Sequence, residues 1–477
     1  MLAYVLFFSY LCNMIKLLLI LSILTTHPNT KDANVGVMVY DYNSGKTIDS
    51  HRANAVIPPA STIKLLTTAT VLEVYGENYR IKTPITYTGE IQEGVLNGDI
   101  YIEGKGDPTL GSRYVGNQSF LQNWVKEIKK AGIQQINGGI IADVSYFDQE
   151  ATNPGWLWDD MGNYYAPGIF ALSYLDNTQR ITLNSGADGT RADIIKTSPH
   201  IPNLIFENTI MCSNSSDGAY VRGVPYGSHR FLTGTIPADR KTYVLKGDLP
   251  NPGLTFAQEF TKALIKGGIS VSEKATHIAV SDSTARKKLF THSSATLKEI
   301  IRHTNHKSDN MYAEMLFRLL ASKYDTPCSI GNSTKYIRTY WKNKGINLSN
   351  CRILDGCGLA PQDAVSAAIY VDLLKYMYES KYKEAFMESL PCSGESGTLT
   401  SFLKDTELHG KVYAKSGTIS GTKNFAGYIL LPNDNVWVFA VMINSANCKT
   451  RKLQKVIEEY LLDIYKKHYT DTLDTTK

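Results

Sequence analysis

Apolar and polar positions alternate through residues 35–42, a run rich in strand-forming residues, and Asn43-Ser44-Gly45-Lys46 then turns the chain into residues 47–50. This predicts a strand hairpin at the start of the folded part. Pro58-Pro59-Ala60-Ser61 leads into an apolar-rich stretch, 62–75, read as a helix that Gly76 stops. From about residue 81 to residue 282 the pattern changes to short strand-like runs, such as 99–103, 139–143 and 180–183, separated by Gly, Asn and Pro. Helical spacing returns at 294–305, 311–322, 366–378 and 452–465. Between the last two lies a β meander: 411–419, 424–431, a Pro432-Asn433-Asp434-Asn435 turn, and 436–444. Helices around a final antiparallel sheet predict an α+β fold. In this reading residues 30–80 and 285–477 form one discontinuous domain, 81–284 form a β-rich insert, and 1–29 are a leader.

The 477 residues are 43% hydrophobic and 20% charged, a globular composition large enough for more than one domain. A net charge of +5, with no basic block longer than Arg286-Lys287-Lys288, argues against nucleic acid as a partner. Residues 1–24 are the one long apolar stretch, interrupted by Asn13 and Lys16. A lysine near the centre of a spanning helix costs about 2.5–3.5 kcal/mol. A start at Met14 instead gives a short positive segment and an apolar core at 17–24, the layout of a secretory signal peptide. No Ala-x-Ala site follows, so an uncleaved anchor is the alternative, and Cys12 lacks a lipoprotein context. The body of the chain is expected to be exported and soluble. Of seven cysteines, six lie beyond this segment; Cys328 and Cys351, flanking one helix-like stretch, are the pair to test for a disulfide. No Cys-x-x-Cys or His-x-x-x-His spacing suggests a metal site.

Three local patterns carry candidate chemistry. Ser61-Thr62-Ile63-Lys64 puts a hydroxyl and an amine on one helix face, where a lysine buried among apolar neighbours can act as base for the serine. The same spacing recurs at Ser380–Lys383, Ser401–Lys404 and Ser420–Lys423, so only its Pro-Pro-Ala context and apolar helix single it out. Ser308-Asp309-Asn310, between two helices, offers a proton-relaying hydroxyl and an orienting amide, although a helix cap would use the same residues. Lys415-Ser416-Gly417-Thr418 lies on a strand, where Gly417 would let a ligand approach, the hydroxyls could bind a carboxylate, and the Thr418 N–H could share an oxyanion hole with that of Ser61.

In that order, Ser-x-x-Lys, Ser-x-Asn and Lys-Ser-Gly resemble the motif set of the penicillin-recognising active-site serine enzymes. The long interval from Ser61 to Ser308 is similar to class C low-molecular-mass penicillin-binding proteins, the D-alanyl-D-alanine carboxypeptidase/endopeptidase family. Asn153-Pro154-Gly155-Trp156 with Asp159-Asp160, Leu354-Asp355-Gly356-Cys357-Gly358-Leu359 with Val365-Ser366, and Gly397-Thr398-Leu399 extend the likeness over roughly residues 34–460. The resemblance implies a DD-peptidase/β-lactamase-like transpeptidase fold with two β-rich inserted domains. It implies catalysis by Ser61, Lys64, Ser308 and Asn310, and substrate binding by Lys415, Ser416, Gly417 and Thr418. Asp160, beside Tyr165, would bind the free amine of a stem peptide. It also implies peptidoglycan stem peptides as substrate, β-lactams as inhibitors, no cofactor, and a periplasmic or cell-envelope location with peripheral membrane association allowed. Departures are Ser416 for the family's Thr, Cys357 for its Ser, and Pro361 where a basic residue is common. A β-lactamase or esterase on the same scaffold, and a non-catalytic cell-wall binding protein, are the alternatives.

Overall fold

The Val436–Asn444 strand is apolar at nearly every position rather than at alternate ones, as befits a strand covered on both faces, and all but Asn444 are buried. In the computed structural model, which describes residues 23–470 apart from 216–217, 281–283 and 325, this strand is the centre of a five-stranded antiparallel sheet. The order is Lys46–His51, Asn34–Asp41, Val436–Asn444, Thr422–Leu430 and Val412–Ile419, which leaves the last as an edge. On one face the Thr450–Tyr465 helix buries Leu453, Val456, Ile457, Tyr460, Leu461 and Ile464, a three-and-four spacing that lines one side of a helix. These side chains join Val35, Val37, Val39, Phe439, Val441 and Ile443 in one core, each contributing about 1.5–3 kcal/mol. The other face carries the Ala367–Glu379 helix, capped by Ser366 and tied to the sheet by the Tyr428 hydroxyl, which donates to the Leu374 carbonyl at 2.8 Å. The leader expected in residues 1–22 lies outside the described residues.

Two compact units make up the chain. The first contains the sheet and comprises the residues through Glu77, Ile301–Asp309 and those from Ile337 on; the second comprises Asn78–Ile300 and Asn310–Tyr336. This division differs from the one read from composition, which put residues 285–300 and 310–336 with the sheet. The Lys287–Ser293 strand pairs with Lys82–Tyr87. The Asn310–Ala321 helix is buried and joins the second unit, where the Tyr312 hydroxyl donates to Ser112 at 2.7 Å and Arg318 pairs with Asp148 at 2.5 Å. The second unit is also less purely β than expected: amphipathic helices span Phe120–Lys130 and Pro252–Lys266. The latter has a readable start signal, with Asn251 accepting from Leu254 N beside Pro252.

Those helices enclose an aromatic cluster of Phe120, Trp124, Phe256 and Phe260 around His292. Trp124 Nε1 donates to His292 Nδ1 at 3.3 Å, so the imidazole must be neutral to accept. Burial, with Lys82 adding to it, pulls the His292 pKa down to about 4. A depressed histidine stabilises the fold above its ordinary value of 6.5, and that stability is lost as pH falls toward 4. Asp107, pushed up to about 6 by burial, acts in the opposite direction. The stability advantage of wild type over His292→Gln is therefore expected to shrink by about 2 kcal/mol between pH 7 and pH 4, discounted for the partly exposed ring. Denaturant unfolding at the two pH values checks this; a constant difference would be contrary.

Candidate active site

In the first unit the Lys64–Tyr75 helix is buried at every position from Lys64 to Leu72, so its polar groups need internal partners. Thr68 and Thr70 donate to the carbonyls one turn back, Thr67 donates to the Gly356 carbonyl at 2.8 Å, and Trp341 Nε1 donates to Thr70 at 2.8 Å. Ser61 is not on that helix, as the sequence suggested, but on a 3-10 turn, Ala60–Ile63, that precedes it. In such a turn residues three apart eclipse one another, and the Lys64 ammonium donates to Ser61 Oγ at 3.0 Å. Ser61 is half-buried and Lys64 fully buried.

The turn is entered through Ala60 at φ 46°, a left-handed conformation that costs an L-residue on the order of 1–3 kcal/mol and must be held by its surroundings. Asn424, fully buried on the Thr422–Leu430 strand, donates its amide to the Pro58 carbonyl at 2.9 Å and the Pro59 carbonyl at 2.8 Å, while its oxygen accepts from Ile443 N. Glycines let two segments close on the same turn. A Cβ on Gly417 would stand 2.4 Å from the Pro59 carbonyl oxygen, and one on Gly358 would stand 1.9 Å from that of Ala60. The space at Gly417, expected to admit a ligand, is taken by the backbone that carries Ser61.

A buried carboxylate shapes the second of these segments. Asp355 accepts from the backbone N–H groups of Cys357, Gly358, Leu359 and Ala360 at 2.5–3.1 Å, and from the Cys357 thiol at 3.6 Å. The loop so curled turns the Cys357 carbonyl toward Lys64, which donates to it at 2.6 Å. Cys357 itself is fully buried. No disulfide links the six cysteines among the described residues, Cys328 and Cys351 included.

On the edge strand Lys415 is completely buried and donates to Ser308 Oγ at 2.9 Å and to the Ser416 carbonyl at 2.7 Å. Burial holds its pKa well below the usual lysine range, and the charges of Lys64 and Lys423 push the same way. Ser308 adopts a left-handed φ of 57° just after the Leu297–Lys307 helix. Ser416 Oγ donates to Thr398 Oγ1 at 2.8 Å, and Thr418 is exposed at the end of the strand. Ser61, Lys64 and Cys357 thus form one chain of contacts, and Ser308, Lys415, Ser416 and Thr398 a second.

Asn310 and Asp160 belong to the second unit, where they are joined through one residue. Asn310 Nδ2 donates to the Tyr165 carbonyl at 2.8 Å, and the Tyr165 hydroxyl donates to Asp160 at 3.0 Å. Burial, with Asp159 close by, raises the Asp160 pKa against the lowering effect of Tyr165.

Residues 19–462 match the model of the D-Ala-D-Ala carboxypeptidase 3 (S13) family. The chain belongs to that family. Among its relatives, the D-alanyl-D-alanine carboxypeptidase DacB of Haemophilus influenzae is 25% identical over 417 residues, 86% of this chain and 85% of the relative. The D-alanyl-D-alanine carboxypeptidase of an Actinomadura species is 26% identical over 436 residues, 87% and 79% of the two chains. The fold is similar to the crystal structure of penicillin binding protein 4 (dacB) from Haemophilus influenzae, with a TM-score of 0.80 and 23% identity over 93% of this chain and 98% of that one. The chain therefore has the α+β DD-peptidase fold. Sequence reasoning missed Asn424 and the role of Asp355, both buried polar groups; an asparagine opening an otherwise apolar strand was the one readable sign.

Proposed function

We propose that this S13 enzyme is a serine D-Ala-D-Ala carboxypeptidase and endopeptidase that cleaves peptidoglycan stem peptides through an acyl-enzyme on Ser61. The observation that carries the reading is the 3.0 Å contact between Ser61 Oγ and the buried Lys64 amine, which satisfies the geometry of a nucleophile and its base. Lys64, uncharged in the reactive form, takes the Ser61 proton as Oγ adds to the carbonyl carbon of the penultimate D-Ala. The Ser61 and Thr418 N–H groups hold the oxyanion, and the close approach at Gly417 supports their sharing one site. Collapse breaks the C–N bond, and Ser308, polarised by Lys415, gives its proton to the departing amine and takes back the one held by Lys64, which is neutral again. Water then attacks the ester and gives its proton to Lys64, which passes it to Ser61 Oγ as the ester C–O bond breaks. Asn310 takes part in the same proton network, and Asp160 receives the free amine of the stem peptide.

The hydroxyls of Ser416 and Thr418 receive the substrate carboxylate. β-Lactams are bound as substrate mimics and acylate Ser61; relatives include a "Penicillin-sensitive carboxypeptidase A" of Dictyostelium discoideum, 22% identical to this chain. Action on peptidoglycan places the enzyme in the cell envelope. No helix among the described residues is long and apolar enough to cross a membrane. Release of D-Ala from an N-acyl-L-Lys-D-Ala-D-Ala tripeptide tests the proposal. Wild type is expected to release it, and Ser61→Ala to lose at least about 10³-fold in rate; equal release by both would overturn the reading.

A further inference from the structure

Lys423 belongs to the fourth Ser-x-x-Lys match in the chain, one with no part in the chemistry above. It stands directly across from Thr418 in the register of the two neighbouring strands. Residues paired in this way point to the same face of a sheet, and the Lys423 ammonium lies 3.0 Å from Thr418 Oγ1 and 5.0 Å from the centre of the Phe425 ring. No carboxylate among the described residues comes within ion-pair distance of it. The acid that senses it, Glu458 of the C-terminal helix, accepts at Oε1 from Leu403 N and the Gln454 amide. Burial lowers the Lys423 pKa to about 8, with Glu458 opposing, so the cation lacks both full hydration and a close counter-ion among the described residues. An anion arriving at Thr418 would supply the missing charge.

Lys415 is poorly placed to meet such an anion, because it is completely buried, its pKa is depressed, and its hydrogen bonds go to Ser308 and a backbone carbonyl. Lys423 is only partly buried and reaches the exposed end of the strand. We infer that Lys423 is a specificity-determining residue that recognises the terminal carboxylate of the substrate together with the Thr418 hydroxyl, while Lys415 serves Ser308. The inference rests on the proposed acyl-transfer reading, in which the carboxylate lies along this strand.

The test compares kcat/KM for an N-acyl-L-Lys-D-Ala-D-Ala tripeptide with that for its C-terminal amide, in wild type, Lys423→Gln and Lys423→Arg. Because a charged hydrogen bond is lost, Lys423→Gln is expected to lower kcat/KM for the free acid about tenfold or more. The loss should fall in KM, leave kcat and the amide little changed, and be restored in Lys423→Arg. The rate of acylation by benzylpenicillin, which carries a carboxylate, should fall in parallel. A loss equal for acid and amide, or none, would overturn the inference while leaving Ser61 chemistry intact. Wild type that neither hydrolyses peptide nor reacts with penicillin would instead overturn the underlying reading.

Discussion

Replacing Lys64 with methionine is expected to slow acylation of Ser61 by about 10²–10⁴-fold, the range that a positioned general base supplies. Methionine fills most of the buried volume and cannot take a proton, so the variant separates the base from the packing. The second-order rate of acylation by a β-lactam, followed by mass, reads the loss. The Cys357 carbonyl would lose a donor at 2.6 Å as well, so unfolding should be measured alongside, with a cost of about 1–3 kcal/mol. A variant acylated at the wild-type rate would remove Lys64 from the mechanism.

The second large effect is expected at a residue that does not touch substrate. Asp355 satisfies four backbone N–H groups of its own loop, all of them at buried or half-buried residues. Asp355→Ala leaves those donors without an acceptor and is expected to destabilise the first unit by about 3–5 kcal/mol. Asp355→Asn keeps the shape but presents one oxygen where two now accept, and should cost about half as much. Because the loop aims the Cys357 carbonyl at Lys64, the asparagine variant should also acylate more slowly at temperatures where it remains folded, with kcat rather than KM carrying the loss. Retained stability and an unchanged acylation rate in Asp355→Asn would show that the carboxylate does not hold the loop.

Much of the sheet was legible in the sequence because a single rule governed it. The 436–444 strand and the 452–465 helix were read within two residues of where they lie, since both faces of one and one face of the other pack against buried neighbours. The helices Phe120–Lys130 and Pro252–Lys266 were lost among turn signals, although Trp124 and Phe256 anchor the second unit through their aromatic contacts. Composition could not say that the Asn310–Ala321 helix belongs to the second unit, because an apolar helix carries no label for its partner. Local context and motif order, not spacing, singled out Ser61: Ser380, in another Ser-x-x-Lys, donates to Glu73. Residue patterns put a helix start where the chain makes a 3-10 turn. The strain at Ala60, the grip of Asn424 and the loop around Asp355 are non-local or backbone effects that such patterns do not encode.

The most direct measurement of the central claim is the intact mass of the protein after exposure to benzylpenicillin, wild type beside Ser61→Ala. The account predicts one penicilloyl group on the wild type and none on the variant. An adduct that persists in Ser61→Ala, or a wild type that gains no mass and consumes no drug, would contradict it.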